Sequence, residues 1–173
     1  MRLLLMRHGI AAPVGGKVKD DASRPLTPEG QDKTRQAASG LKAYDEPPNL
    51  IATSPLRRAE EAAQIVLEVY RQQAGSPRME TWPELEHAEP AALMQRLQTA
   101  SQHATILLVG HEPGLSRFVA YLLTGSPTGL TVEFKKAAVC ALDVEIYGAP
   151  QATLLWHATP RQLRLMAERR ERE

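Results

Sequence analysis

Short runs of apolar residues alternate along the chain with longer segments in which polar and apolar positions are mixed. Three of these runs are too short for a helix and are bounded by polar residues or glycine: residues 2–6, 50–54 and 105–111. A short, continuous apolar run of this kind is typical of a strand that is buried on both faces of a sheet. We therefore predict three buried strands at these positions.

The segments between these strands carry the start and stop signals of helices. Thr27 is a favourable N-cap, Pro28 suits the first helical position, and this helix is predicted to end near Tyr44. The next helix is predicted to begin with Ser54 as its N-cap and to stop at Gly75. Two further helices are predicted near residues 89–100 and over residues 112–125.

The pattern changes in the last third of the chain. Residues 137–159 divide into two strand-like segments joined by a turn at residues 147–150, which predicts an antiparallel hairpin. Residues 78–82 predict a short extended segment. Residues 160–173 are polar, and their charges alternate in sign. They predict a polar helix or tail at a solvated end of the chain.

Strands that are separated by helices pair in parallel, with helices on both faces of the sheet. The predicted fold class is therefore α/β, a three-layer α/β/α arrangement with a mostly parallel central sheet and a C-terminal antiparallel hairpin. No repeat or linker divides the sequence, so we expect a single domain over residues 1–173. In sheets of this class, ligands bind at the carboxyl ends of the strands.

The composition excludes several classes of partner. The 173 residues are 43% hydrophobic and 24% charged, and the net charge of +1 gives no basic field for nucleic acid or membrane surfaces. The apolar run Leu3–Met6 is too short for a signal peptide, and no stretch reaches the roughly 20 apolar residues of a membrane span. Cys140 is the only cysteine, which predicts an inert core residue without a disulfide. We expect a cytoplasmic protein.

Groups that bind anions follow all three predicted strands. Arg7, His8 and Gly9 come directly after the first strand, Arg58 lies early in the helix after the second, and His111 ends the third. If the strands are neighbours, these side chains converge on one pocket. Helix N-termini also attract anions through their free amide groups. Because no acidic residue nearby in the sequence obviously neutralises these cations, a phosphate is the predicted ligand.

The segments "LMRHG", "TSPLRRAEEAA" and "LLVGHEPGLS" resemble, in this order, the motifs of the histidine phosphatase superfamily, which contains the cofactor-dependent phosphoglycerate mutases and acid phosphatases. The resemblance extends from Arg2 to about Thr159 and implies a phosphoglycerate mutase-like fold. The short chain and the late "TPRQL" are most similar to the small SixA-type phosphohistidine phosphatases. The arginine of the family pattern falls on Arg58, since Ala59 follows it, and Arg57 is expected to be peripheral.

The resemblance implies a role for each residue at the strand ends. His8 would be the nucleophile that attacks phosphorus and forms a covalent phosphohistidine. Arg7 and Arg58 would bind the phosphoryl oxygens, with Gly9 beside them leaving space for the phosphate. His111 would be the second histidine, which contacts the phosphoryl group and carries a proton as it does so.

Most members of the superfamily also have a carboxylic acid that protonates the leaving oxygen. It would fall within "WPELEHAEP", where Glu84, Glu86 and Glu89 are available. Glu86 is the best candidate for a general acid, His87 has a weaker claim, and Glu89 is expected to begin the next helix. A phosphohistidine leaves as an imidazole and needs such an acid less than an alcohol does. The weak signal in this segment therefore favours phosphohistidine as the substrate.

The loop at residues 10–25 is the main elaboration of a chain whose other connections are short. An uncovered pocket suits a phosphohistidine that is presented on the surface of another protein. Asp20, Asp21 and Arg24 lie in this loop, where solvated charges are the simpler interpretation and contact with a partner is the alternative.

Three functions stay open on the sequence alone. The favoured one is a protein phosphohistidine phosphatase. The alternative is a phosphatase for small phosphomonoesters on the same scaffold, and the third is a non-catalytic phosphate-binding or interaction domain. Against the third, binding alone would not need a nucleophile such as His8. The expected partner is a phosphorylated protein or a small phosphorylated molecule. We expect a monomer without cofactor or metal, because the two site histidines have no carboxylate at ligand spacing.

Overall fold

The computed structural model describes residues 1–71 and 75–170, which form a six-stranded sheet and five α-helices. The strands are β1 (Arg2–Arg7), β2 (Leu50–Thr53), β3 (Arg78–Thr81), β4 (Thr105–Gly110), β5 (Val139–Glu145) and β6 (Gln151–Ala158). The helices are α1 (Pro28–Tyr44), α2 (Arg57–Tyr70), α3 (Pro90–Thr99), α4 (Gly114–Thr124) and α5 (Pro160–Arg170), with a 3-10 turn at Pro83–Leu85. Within the described ranges, no helix is long and apolar enough to cross a membrane.

The order of strands across the sheet is β3-β2-β4-β1-β5-β6. The first four strands in this order are parallel to one another, whereas β5 runs antiparallel to both β1 and β6. The predicted mostly parallel sheet with a C-terminal hairpin is therefore confirmed. The extended segment predicted at residues 78–82 supplies the edge strand β3.

Alternate residues of β1 face two separate cores. Leu3 and Leu5 pack on one face of the sheet with residues of α3 and α4, and Leu4 and Met6 pack on the other with residues of α1, α2 and α5. All four side chains are fully buried. This burial on both faces explains the continuous apolar run, since a half-exposed strand would alternate with polar residues. The three-layer arrangement is confirmed.

One helix start agrees with the sequence prediction and another differs. Thr27 caps α1, and its Oγ1 accepts a hydrogen bond from Gly30 N at 3.0 Å. Ser54 was predicted to cap α2, and this prediction is wrong, because α2 begins at Arg57 behind Leu56, which makes no side-chain cap. The hydroxyl of Ser54 instead accepts from Leu56 N at 3.2 Å and turns toward the strand ends.

Two glycines were predicted to end helices. Gly125 does so at the end of α4 with a left-handed φ of 78°. Gly75 also has a left-handed φ, of 80°, but it lies beyond the end of α2, which stops at Tyr70 with Arg71 as its C-cap. The predicted helix residues 72–74 lie outside the described residues.

The polar helix predicted near the C-terminal end is present as α5 and most of its described side chains are exposed or half-buried, but one side of it packs against α1. Leu163 is fully buried in the same core as α1 residues, and Met166, one turn later, packs against that core. Gly40 of α1 permits the close approach, because an added Cβ there would overlap the carbonyl oxygen of Leu163. The polar sequence around Leu163 hides a short apolar stripe. The predicted tail at residues 171–173 lies outside the described residues.

Truncating Leu163 to alanine is expected to lower the free energy of unfolding by about 2–4 kcal/mol, because a fully buried leucine leaves a cavity. The matched control is Leu165→Ala in the same helix, where the side chain is 51% exposed and the expected change is below about 0.5 kcal/mol. Urea unfolding followed by circular dichroism measures both. Equal effects of the two substitutions would contradict the docking of α5.

Candidate active site

The carboxyl ends of three neighbouring parallel strands form one edge of the sheet. β4 lies between β2 and β1, and the last residues of β1 and β4, Arg7 and Gly110, are directly paired. The backbone continues this pairing one residue further, where His8 N donates to Gly110 O at 3.1 Å. As a result the rings of His8 and His111 lie next to each other, tilted by 55°, with their centroids 5.0 Å apart. The convergence expected from the sequence is present.

His8 is buried and held by its own neighbour. Its side chain Nδ1 lies 2.7 Å from the carbonyl oxygen of Gly9. A carbonyl only accepts, so the proton of the neutral ring is on Nδ1 and the lone pair is on Nε2. Burial, with smaller contributions from the charges of His111, Arg58 and Arg7, lowers the pKa of His8 from 6.5 to about 3. At neutral pH this ring is therefore uncharged, with a free lone pair on Nε2.

His111 is hydrogen-bonded to Ser54, the serine that was predicted to cap α2. Its Nε2 lies 2.8 Å from Ser54 Oγ, and its buried Nδ1 has no hydrogen-bond partner within the described ranges. Burial and the charge of Arg58 lower the pKa of His111 to about 4. A hydroxyl can donate to a neutral ring or accept from a protonated one. Ser54 therefore supports either protonation state of His111, and sequence reasoning missed this role.

Arg58 is paired with an aspartate from the loop at residues 10–25. The guanidinium Nη1 donates to Asp21 O at 2.7 Å, and Nη2 lies 2.9 Å from Asp21 Oδ2. Hydrogen bonds from Arg24 and then from Arg58 lower the pKa of the Asp21 carboxyl. The sequence showed no obvious neutralising acid near these cations along the chain, and the structure supplies one for Arg58 from 37 positions away. Asp21 keeps 60% of its side chain exposed, so Arg58 is balanced by a carboxylate at the surface.

Arg7 is fixed by the segment that precedes β5. Its Nη1 donates to Phe134 O at 2.7 Å, whereas its buried Nε has no partner among the residues described. The unsatisfied N–H is a donor available to an anion. Arg57 differs from these arginines, because it lies at the surface with 57% of its side chain exposed and pairs with Glu61 at 2.8 Å.

Gly9 allows the end of β1 to approach α1. An added Cβ at this position would overlap Thr34 Oγ1 and lie 2.7 Å from Gly30 O. The resemblance explained Gly9 by the space that it leaves for a phosphate. The structure adds a second reason, which is the close packing of Gly9 against α1. Any side chain here would push His8 away from α1.

The segment that was expected to hold a general acid lies beside the end of β4. Glu86 is exposed, and its side chain makes no hydrogen bond or ion pair with the residues described, although its backbone N–H donates to Pro83 O at 3.0 Å. Glu89 is also exposed and directly precedes α3. Glu84 is half-buried, and its Oε2 has no partner in the part of the chain that the structure describes. His87 lies close enough to His111 for its charge to lower the pKa of that ring.

The site as a whole combines a neutral imidazole, whose lone pair is free, with donors for an anion. His8, Arg58 and His111 are each only 7% exposed, so their interactions with an anion would be weakly screened by solvent. No group of three or more potential metal ligands occurs among residues 1–71 and 75–170. The arrangement can bind a tetrahedral oxyanion and transfer a group to nitrogen.

Comparison with known proteins points to one family. The family model described as "Histidine phosphatase superfamily (branch 1)" matches residues 3–89. An uncharacterized protein of Picosynechococcus sp. is 31% identical over 142 residues, which cover 82% of this chain and 84% of that protein. The phosphohistidine phosphatase SixA of Escherichia coli K12 is 27% identical over 168 residues, which cover 95% of this chain and 98% of that protein.

A solved structure agrees with this chain over nearly its whole length. It is that of the protein histidine phosphatase SixA complexed with tungstate, with a TM-score of 0.80 and 27% identity. The match covers 94% of this chain and 99% of that one. The phosphoglycerate mutase-like fold expected from the motifs is thereby confirmed.

The lowered histidine pKa values predict that acid destabilises the fold. Between pH 6.5 and the folded-state pKa values of about 3 for His8 and about 4 for His111, the unfolded chain binds more protons than the folded one. The free energy of unfolding should therefore fall with decreasing pH, by about 1 kcal/mol per pH unit for each histidine. Denaturant titrations of the wild type and of His111→Gln measure the two slopes. The variant should be less sensitive to pH, and identical slopes would refute the prediction.

Proposed function

This chain belongs to the histidine phosphatase superfamily and is a phosphatase, and on that premise we propose that it hydrolyses phosphohistidine in proteins. The observation that carries the proposal is the hydrogen bond from His8 Nδ1 to Gly9 O, which leaves Nε2 as a free nucleophile among cationic donors. The alternative substrates are small phosphomonoesters.

In the first step, His8 Nε2 attacks the phosphorus of the substrate. A bond forms between Nε2 and phosphorus, the bond from phosphorus to the substrate imidazole breaks, and that imidazole leaves with its electron pair and takes a proton from solvent water. Arg7 and Arg58 stabilise the negative charge on the phosphoryl oxygens. Each donor at such a site is typically worth about 10²–10³ in rate.

In the second step, water attacks the phosphoryl group on His8. The bond between phosphorus and Nε2 breaks, inorganic phosphate forms, and His8 returns to its neutral state with its proton still on Nδ1. The hydrogen bond to Gly9 O supports both steps, because it holds the ring in one orientation and one tautomer throughout.

His111 acts as a proton-carrying contact to the phosphoryl group. Its pKa of about 4 keeps the ring neutral at pH 7 in the protein alone. A phosphoryl dianion beside the ring favours the charged imidazolium and raises this pKa. Proton uptake by His111 therefore accompanies substrate binding, and Ser54 remains a partner for Nε2 in both states.

The choice of phosphohistidine over esters rests on the leaving group and on the relatives. The exposure of Glu86 argues against it as a strong general acid, and an imidazole leaving group needs less acid catalysis than an alkoxide. The relative from Escherichia coli is a phosphohistidine phosphatase, and the solved relative holds tungstate, a tetrahedral oxyanion that resembles phosphate. One observation favours the alternative, since Glu84 has a buried carboxylate oxygen without a partner among the described residues.

Replacement of His8 by alanine is expected to lower phosphate release from a phosphohistidine peptide by at least about a thousandfold, because the covalent route is lost. Alkaline quenching preserves a phosphorus–nitrogen bond, so mass spectrometry of the wild type should detect phosphate on His8. His103→Ala is the matched control, since His103 precedes β4 at the opposite end of the sheet and should keep wild-type activity. Activity that survives in the His8 variant would sink the covalent mechanism.

The two glutamates separate the proposed substrate from its alternative. Glu86→Gln should change turnover of every substrate by less than about twofold, because the side chain lies in solvent. If small phosphomonoesters are the substrates, Glu84→Gln should slow them by about 10²–10⁴, the usual range for a general acid. The measurement compares kcat/KM on sugar phosphates with kcat/KM on a phosphohistidine peptide. Faster wild-type turnover of the sugar phosphates, lost on Glu84→Gln, would overturn the proposal.

A further inference from the structure

A cavity of about 1310 Å³ extends away from the strand ends. It begins at Arg7 and Gly9 and continues between residues 131–137 and the start of α5, with Lys33 and Gln36 of α1 on one side. We call the site formed by His8, Arg58 and His111 the phosphoryl pocket. These three residues do not line the cavity, so the cavity adjoins the phosphoryl pocket without being part of it. We call the cavity the basic groove, for the five cationic side chains that line it beyond Arg7: Lys33, Lys135, Lys136, Arg161 and Arg164.

The charge of this groove contrasts with the near-neutral chain. Only two acidic residues, Glu112 and Glu133, line it, although the whole protein has a net charge of +1. Two of its five cations are paired within their own helices, Lys33 with Glu29 and Arg164 with Glu168. The other three, Lys135, Lys136 and Arg161, are exposed and have no ion-pair partner within residues 1–71 and 75–170. Unpaired cations that share one concave surface attract an anionic partner and raise its rate of encounter.

The groove also offers apolar contact. Leu165 of α5 lines it with 51% of its surface exposed, and Ile10 and Val132 line it with partly exposed side chains. A free phosphate has no apolar group to place on this surface. A protein segment with acidic residues and an apolar side chain complements both the cations and Leu165.

The groove is physically attached to the phosphoryl pocket. Arg7 Nη1 donates to Phe134 O at 2.7 Å, and Ala137 N donates to Arg7 O at 3.0 Å. The segment that carries Lys135 and Lys136 is thus hydrogen-bonded to Arg7, the residue directly before His8. A segment bound in the groove would lie directly beside a phosphohistidine that has entered the pocket.

We propose that the basic groove docks an acidic segment of the phosphoprotein substrate, next to its phosphohistidine, with an apolar side chain of that segment on Leu165. This inference rests on the proposed function and adds to it the chemical class of the protein substrate. Selection among phosphohistidine proteins then depends on their local charge, and the buried pocket recognises only the phosphoryl group.

The test uses two synthetic phosphohistidine peptides that differ only in having Asp, Glu and Leu or Lys, Arg and Ser around the phosphohistidine. The quantity measured is the ratio of their kcat/KM values, for the wild type and for Lys135→Glu combined with Arg161→Glu. The wild type should prefer the acidic peptide, and the double substitution should reduce this ratio by roughly tenfold or more, since two exposed attractions become repulsions. High salt should also reduce the ratio in the wild type.

Arg78→Glu is the matched control, because this exposed arginine begins the edge strand β3 and lies outside the groove. It should leave the ratio unchanged. N-phosphoimidazole, which lacks a peptide, reports the phosphoryl pocket alone.

Equal wild-type activity on both peptides, or an equal loss in the Arg78 variant, would overturn the docking proposal and leave the proposed function standing. Wild-type hydrolysis of small phosphomonoesters with none of N-phosphoimidazole or either peptide would overturn the proposed function, and the docking proposal with it. Stronger inhibition by a single-stranded RNA than by the unphosphorylated acidic peptide at physiological salt would show that the groove serves a nucleic acid, against the proposal.

Discussion

The parallel pairing of β1 with β4 and of β4 with β2 is the constraint on which the site depends. All three strands are buried in the centre of the sheet, so their carboxyl ends cannot shift relative to one another without breaking backbone hydrogen bonds. The pairing continues past the strands, where Ser54 N donates to Val109 O at 3.1 Å and His8 N donates to Gly110 O at the same distance. The backbone pairing therefore sets the distance between the two histidines, independently of side-chain contacts.

Burial then gives the site its electrostatic character. Desolvation is the largest cause of the lowered pKa of both His8 and His111, and the nearby arginines act in the same direction. A guanidinium cannot lose its charge in response, so Arg58 takes a counter-ion from the loop, Asp21. The histidines and Arg58 thus respond to the same burial in different ways. The result is a neutral imidazole beside permanent positive charge, a combination that suits the phosphoryl transfer to nitrogen proposed for this site.

What the sequence could and could not predict follows from the separation of the interacting residues along the chain. Buried strands and the cap at Thr27 depend on neighbouring residues, and both were predicted correctly. Ser54 has the chemistry of a helix cap, but its hydroxyl is used by His111, which lies 57 positions later. Asp21 is 37 positions from Arg58, and no local pattern marks that pair. The burial of α5 depends equally on a distant residue, Gly40 in α1. What the sequence did not predict is therefore a set of long-range contacts. Each involves a residue whose local sequence context also fits another role.

The strand-end site and the basic groove both carry positive charge but differ in solvent exposure, and the proposal gives them different roles for that reason. Arg58 is almost wholly buried beside the two neutral histidines, so its attraction for an oxyanion is strong and requires close geometric fit. Lys135, Lys136 and Arg161 are exposed, so each contributes little to affinity but acts over about a Debye length on an approaching surface. Recognition by the exposed charges can precede the fit of the phosphoryl group, because encounter is governed by long-range charge and catalysis by contact. Arg7 joins the two regions, since it lines the groove and also precedes His8 in the chain. The proposed docking depends on this proximity, because a groove placed elsewhere on the sheet would hold a phosphoprotein without bringing its phosphohistidine to His8.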